Sequence, residues 1–403
     1  MIYNFDHPEW LASLPKPDLK AANGNIVIYG AGMCGALAYH ALKQMGFSFL
    51  AYVDSNKLKH GQIYYEHIII SLEELRENYP DALILIASVF HNQINETLPG
   101  WVGGVYPSFL IFNNIDLNGF ESPWSDEYLC RAIKRLTIKV LRQLDIPMDG
   151  FIEALGLSTS DKCTLKCRDC YNRTPYVKDP KDYDLDKMIL SVKNIIEAGF
   201  YIDHVSVASG EPFLYKPLTA LISELVTFPN IGCIYIVTNA TLLPSKDLIK
   251  VLRNEKVIVR ISDYGELSSK FDELIALFKK EQINYNIDKR IEFFRYIDWK
   301  TQNETPKQIQ SRFINCTCNS RSGILFTSEG KAYLCISANY LNLREWIKIP
   351  ENEYVDLLDV STSLRLRIDA LLKRKAYHTA CKNCFMNNSF DNVDRVPVAE
   401  QLP

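Results

Sequence analysis

The sequence has no surplus of either charge. Lys and Arg number 45 and Asp and Glu 48 in 403 residues, a formal net charge of −3. Binding to nucleic acid or to an anionic membrane draws on a basic excess, so neither partner is expected. Long hydrophobic runs are also missing. The longest nearly unbroken apolar stretch, 26–39, is interrupted by three glycines and falls short of the roughly 20 residues that span a bilayer. The opening residues, MIYNFDHPEW, have neither the basic start nor the apolar core of a secretory leader. A cytoplasmic location without membrane insertion is expected. No repeat of fixed period and no low-complexity tract is present. Cysteine, by contrast, is plentiful, with 11 in the chain. In a reducing compartment such thiols serve metals or redox chemistry more often than disulfides.

Strands alternate with helices along most of the chain, the pattern of a wound α/β protein. Asn25–Tyr29, Ser48–Asp54 and Ala82–Ser88 read as apolar strands, and Ser71 with Glu74 forms a capping-box signature. This first domain is expected over residues 1–115. Residues 116–150 read as a linker whose helix is capped by Ser125, carries a basic face and stops before Pro147. A second alternating region, 151–310, offers strands at 152–158, 204–208, 232–238, 256–262, 283–287 and 292–297. Helices fill 184–198, 215–226, 245–253 and 266–280, as in a partial (β/α) barrel with its active site on the loops after the strands. Residues 311–403 form a small cysteine-rich domain.

Cys163-Thr-Leu-Lys-Cys167-Arg-Asp-Cys170-Tyr171 follows the first barrel strand. Three thiolates on one loop can hold three irons of a cubane cluster and leave the fourth without a protein ligand, the open position that catalysis needs. A structural zinc knuckle would want a fourth ligand, and no histidine lies nearby to supply it.

This Cys-x3-Cys-x2-Cys-aromatic string resembles the signature of the radical S-adenosylmethionine (radical SAM) superfamily. Ser209-Gly210-Glu211-Pro212 after the second strand resembles the family's Gly-Gly-Glu-Pro motif, with serine for the first glycine. Thr238-Asn239 and Arg260-Ile261-Ser262 end the third and fourth strands at positions where family members contact the cofactor. The resemblance covers residues 151–310 and implies a 4Fe–4S cluster on Cys163, Cys167 and Cys170, with S-adenosylmethionine chelating its open iron. An electron donor such as flavodoxin or ferredoxin is implied, as is a 5′-deoxyadenosyl radical that takes hydrogen from substrate. Glu211 would accept from the methionyl ammonium, helped by the backbone of the 209–212 turn. Asn239 and Ser262 would contact ribose or carboxylate, and Tyr171 would lie near the adenine.

The tail carries Cys316, Cys318, Cys335, Cys381 and Cys384. GILFTSEGKAYLC, ending at Cys335, reads as a hairpin turning at Glu329-Gly330, and Cys381-x2-Cys384 is a compact clip. Four thiolates from a hairpin and a clip suit a cubane cluster or a zinc ion. The spacing resembles the "twitch" auxiliary-cluster domain, a shortened relative of the SPASM domain. Cys316 and Cys318 both have acceptable spacing; Cys318 is preferred, with Cys335, Cys381 and Cys384, and a second 4Fe–4S cluster is favoured over zinc.

Gly30-x-Gly32-x-x-Gly35 joins a strand to a helix, and Asp54 ends the next strand. Such glycines let backbone N–H groups approach a phosphate at a helix N-terminus while the acid accepts from ribose. The wider string resembles Rossmann-like domains of sugar acyltransferases and polysaccharide-biosynthesis enzymes, which implies a nucleotide or nucleotide-sugar ligand. The glycines can equally serve packing alone. The sequence thus leads to a radical SAM enzyme that oxidises or epimerises a small sugar, sugar nucleotide or polyol. The alternatives are peptide modification, a non-catalytic zinc or iron–sulfur scaffold, and a nicotinamide dehydrogenase with structural cysteines.

Overall fold

The computed structural model describes residues 2–3, 8–121, 126–144, 146, 148–289, 292–295, 303–314, 316, 323–384 and 394–402. The chain divides into two compact units, Met1–Asp149 and Gly150–Pro403.

The first unit is built on a six-stranded sheet: β1 (Ile26–Tyr29), β2 (Ala51–Val53), β3 (Ile63–Tyr64), β4 (His67–Ile70), β5 (Leu83–Ile86) and β6 (Val105–Pro107). Their order is β3-β4-β2-β1-β5-β6, all parallel except the β3–β4 hairpin. Helices cover both faces of such a sheet, so its strands are apolar throughout rather than alternating. All residues of β1 and β5 are accordingly buried. The capping box forms as expected: the Ser71 hydroxyl accepts from Glu74 N–H at 3.1 Å and Glu74 accepts from Ser71 N–H at 2.7 Å.

The helix Asp126–Gln143 was expected as a linker, but it belongs to the first unit. Leu129, Ile133, Leu136, Val140 and Leu141 are all buried, and Gln143 Oε1 accepts from Asn92 N–H at 2.9 Å. Its apolar face, not its basic one, sets its place. Its expected cap, Ser125, and Pro147 lie outside the described residues.

The second unit centres on an eight-stranded sheet. β7 (Phe151–Ser158), β8 (Tyr201–Ala208), β9 (Ile231–Thr238), β10 (Val257–Asp263) and β11 (Tyr285–Lys289) run parallel in that order. The intervening helices, Leu185–Glu197, Leu218–Leu225, Lys246–Leu252 and Phe271–Glu281, lie within one to five residues of the expected boundaries. Asp184 and Ser245 cap the first and third by accepting from Lys187 and Leu248 N–H. Leu155, Val205, Ile234 and Val259, one from each of the first four strands, are fully buried in one core.

One expectation fails here. The strand foreseen at 292–297 is seen at Glu292–Arg295 and does not join the barrel; it pairs antiparallel with Asp394–Pro397. The cysteine-rich tail shares a sheet with the barrel. β12 (Ile324–Ser328), β13 (Lys331–Tyr333) and β14 (Val355–Asp356) extend the same sheet, because β12 pairs parallel with the free edge of β7. The hairpin does turn at Glu329-Gly330, where Ser328 opposes Lys331. Among the described residues, no helix is long and apolar enough to cross a membrane.

Candidate active site

Three loops converge at the C-terminal ends of the parallel strands. The loop after β7 carries Cys163, Cys167 and Cys170. The turn after β8 carries Ser209–Pro212, and the end of β9 carries Thr238 and Asn239.

The 209–212 turn is pressed against the approach to the triplet. Ser209 has φ of 86° and Gly210 has φ of 59°, the left-handed region that side chains disfavour. A Cβ on Gly210 would stand 2.1 Å from Lys162 O, so only glycine fits. Ser209 holds its unusual backbone with a hydroxyl that donates to Ser160 O at 2.9 Å. Pro212 is buried and opens a short 3-10 turn.

Glu211 does not face open space as its expected role required. Its side chain is fully buried. Oε2 accepts from Asn239 N–H at 2.8 Å, and Oε1 accepts from the Thr238 hydroxyl at 2.8 Å and from Phe213 N–H at 3.1 Å. Burial pushes its pKa up to about 7, against the pull of these three donors. The carboxyl therefore fastens the β8 turn to the end of β9.

Asn239 continues the chain of contacts. Its Nδ2 donates to Thr164 Oγ1 at 3.1 Å and reaches Cys163 Sγ at 3.7 Å. The Ser268 hydroxyl, which sequence reasoning missed, donates to both Asn239 O and Ser262 O, at 2.8 and 3.2 Å. The backbones of Asn239 and Ser262 are thus brought together through Ser268. Tyr171 sits against the two-stranded ribbon of 292–295 and 394–397: its hydroxyl accepts from Phe294 N–H at 3.4 Å and its ring centroid lies 5.5 Å from that of Phe293.

Burial holds the Cys163 thiol up at about 12 and Cys167 at about 11, and each of the three thiols lies within electrostatic reach of the others. Sulfur ligates as thiolate, and a bound metal would supply the positive charge that deprotonates these thiols against the pull of burial. Among the described residues, no three His, Cys, Asp or Glu groups are arranged around one ion. A cubane cluster instead spreads its thiolates over separate irons. The donor set fits such a cluster.

The segment 394–402, at the far end of the tail, lies across this loop. Arg168 N–H donates to Glu400 O and Leu402 N–H to Lys166 O, both at 2.8 Å. Arg295, on the ribbon strand paired with 394–397, grips the buried Asp169 with two bonds of 2.9 and 3.1 Å. Nothing local in the sequence signals these pairings, because the partners lie more than a hundred residues apart. Also unforeseen is the buried ion pair of Arg344 with Asp161, 2.7 Å apart, on which the Tyr183 hydroxyl converges.

In the tail, Cys335 and Cys381 each lie within electrostatic reach of Cys316 and Cys384. Burial lifts Cys335 to about 12 and Cys381 higher still. Cys335 also caps the helix Ile336–Leu343, its sulfur accepting from Ala338 N–H at 3.2 Å. The preferred Cys318 lies outside the described residues; Cys316 is the thiol seen with the other three.

In the first unit, Asp54 is already engaged. Oδ2 accepts from Ala31 N–H at 3.0 Å and from Lys59 Nζ at 2.8 Å, and Oδ1 accepts from Asn56 N–H at 2.9 Å. Burial opposes its ionisation, but Lys59 and the backbone donors outweigh burial and hold its pKa below the ordinary value. Asp54 and Lys59 clamp the glycine loop. A Cβ on Gly35 would meet Gly30 O at 2.0 Å, so that pair serves close packing; Gly32 faces open space.

Comparison with known proteins agrees with the barrel. Residues 157–263 match the family model described as Radical SAM superfamily, and residues 22–102 match one described as C2185-like, N-terminal. GTP 3′,8-cyclase of Clostridium perfringens strain SM101 is 28% identical over 143 residues, covering 35% of this chain and 43% of that protein. The enzyme of that name from Campylobacter jejuni subsp. doylei is 31% identical over 108 residues, covering 26% and 32%. The chain thus spans less than half the length of these curated relatives. Streptococcus suis SuiB bound to S-adenosylmethionine shares 18% identity and a TM-score of 0.29 over 41% of this chain and 40% of that one. With the triplet, the turn after β8 and the five parallel strands in place, the barrel segment of this chain matches the radical SAM superfamily over residues 157–263.

Proposed function

We propose that the chain is an enzyme that cleaves S-adenosylmethionine reductively at a 4Fe–4S cluster held by Cys163, Cys167 and Cys170. With the resulting radical it would take hydrogen from a small sugar, sugar nucleotide or polyol, which it oxidises or epimerises. The observation that carries this reading is the linkage of the triplet loop to the ends of β8 and β9 through Asn239 and Glu211. The bound cluster and cofactor would supply one-electron cleavage of a sulfonium C–S bond and a hydrogen-abstracting 5′-deoxyadenosyl group. The chain's own residues do the rest. Asn239 orients Cys163, Glu211 locks the turn, and the backbone of 209–212 offers carbonyls to the methionyl ammonium.

Cys316, Cys335, Cys381 and Cys384 would hold a twitch-like second cluster with no open iron, or else zinc. A closed cluster suits electron transfer rather than substrate binding. Such an acceptor favours oxidation of an alcohol; epimerisation needs a hydrogen donor on the opposite face. The first unit, taken by itself, would bind a nucleotide or nucleotide sugar at the N-terminal end of the helix Met33–Gln44, beside Gly32. The partial match to GTP 3′,8-cyclases brings nucleoside triphosphates into the substrate panel.

The test is anaerobic incubation of reconstituted enzyme with reductant, S-adenosylmethionine and a panel of sugar nucleotides, nucleoside triphosphates and polyols, following 5′-deoxyadenosine by mass spectrometry. Alanine at Cys163, Cys167 and Cys170 together should abolish the product. Persistence of 5′-deoxyadenosine in that variant would sink the assignment.

A further inference from the structure

Gln401 makes two contacts with the triplet loop. Its carboxamide oxygen accepts from Lys166 N–H at 2.7 Å, and its Nε2 donates to Cys167 Sγ at 3.5 Å. The side chain is delivered there by the pairing of Glu400 and Leu402 with Arg168 and Lys166. Ala399, fully buried, packs with Phe293 and Cys167 in one small apolar cluster. The ion pair of Arg168 with Glu400, 2.9 Å, closes the outer side. One amide therefore reads both a backbone N–H and a sulfur of the same loop.

We infer that Gln401 is a positioning residue of the cluster site, which fixes the Cys167 sulfur and raises the reduction potential of the cluster bound there. An N–H donor aimed at a ligand sulfur stabilises the state with more negative charge on that sulfur, which is the reduced one. Loss of the donor leaves the cluster harder to reduce. The inference rests on the reading that the triplet holds a cluster.

The experiment is a potentiometric titration of the full reconstituted chain, followed by electron paramagnetic resonance. The triplet cluster is recognised as the signal that changes when S-adenosylmethionine is added. Gln401→Glu keeps the acceptor for Lys166 N–H but loses the donor to sulfur. Gln401→Leu loses both without adding charge. Both variants should retain wild-type iron content and show a midpoint shifted to more negative potential, the glutamate further than the leucine. Unmoved midpoints in both, or loss of the S-adenosylmethionine-responsive signal in both, would overturn the inference and leave the segment a structural strap. Absence of a responsive signal in the wild type would instead bring down the assignment of the triplet itself.

Discussion

Among the described residues, every hydrogen-bonding group that reaches the Glu211 carboxyl is a donor: two backbone N–H groups and one hydroxyl. An amide there would place its own NH2 against at least one of them. Glu211→Gln should therefore cost stability, by about 1–3 kcal/mol at neutral pH. The same carboxyl makes stability depend on pH. Its pKa rises on folding from 4.5 to about 7, so the folded state binds the extra proton between those values. Its contribution is complete below pH 4.5 and is lost as pH rises through 7, on the order of 3 kcal/mol. Thermal unfolding of the wild type and of the Glu211→Gln variant between pH 4.5 and about 8 should show that slope only in the wild type. At the neighbouring positions the direction differs between two small changes. Gly210→Ala drives a methyl into Lys162 O and should cost about 3 kcal/mol and lower iron content on reconstitution. Ser209→Gly trades a hydrogen bond for relief of backbone strain and should stay within about 1 kcal/mol of wild type.

At the scale of elements, the βα units of both sheets were legible because most of their strands are short apolar runs and several helices begin at a recognisable cap. Ser71, Asp184 and Ser245 act as the local chemistry requires. What was not legible is pairing between distant segments. Glu-Phe-Phe-Arg at 292–295 has the composition of one more barrel strand, and nothing beside it reveals that its partner is 394–397. The site followed the same division. The triplet could be found because its ligands share one loop. The engagement of Glu211 and Asp54 could not, because the residue types point equally to a ligand role, while decisive donors, Thr238 and Asn239 for the one and Ala31 for the other, come from distant turns. The ribbon can be tested through Arg295→Ala, which strands the buried Asp169 carboxylate. A loss of about 1–2 kcal/mol is expected, with faster amide hydrogen exchange over residues 163–170. Unchanged exchange there would mean that the ribbon does not support the loop.

For the whole molecule, the metal inventory separates the readings. Two cubane clusters correspond to about eight irons per chain, falling to about four when Cys381 and Cys384 are both alanine. Cys316→Ala should lower the count in the same way and Cys318→Ala should not; the reverse result would restore Cys318 as the ligand. Four irons with one zinc would remove the electron-acceptor argument and with it the preference for oxidation. The sheet of the second unit also has a consequence in time. β7 is the first barrel strand to be synthesised, yet it ends in the interior of the sheet, with Leu155 between Val205 on β8 and Leu325 on β12. Translation at about 5–20 residues per second puts roughly 10–35 s between the emergence of β7 and that of β12. Throughout that interval a nascent chain carries an apolar strand with at least one unpaired edge, open to pairing with a second nascent chain.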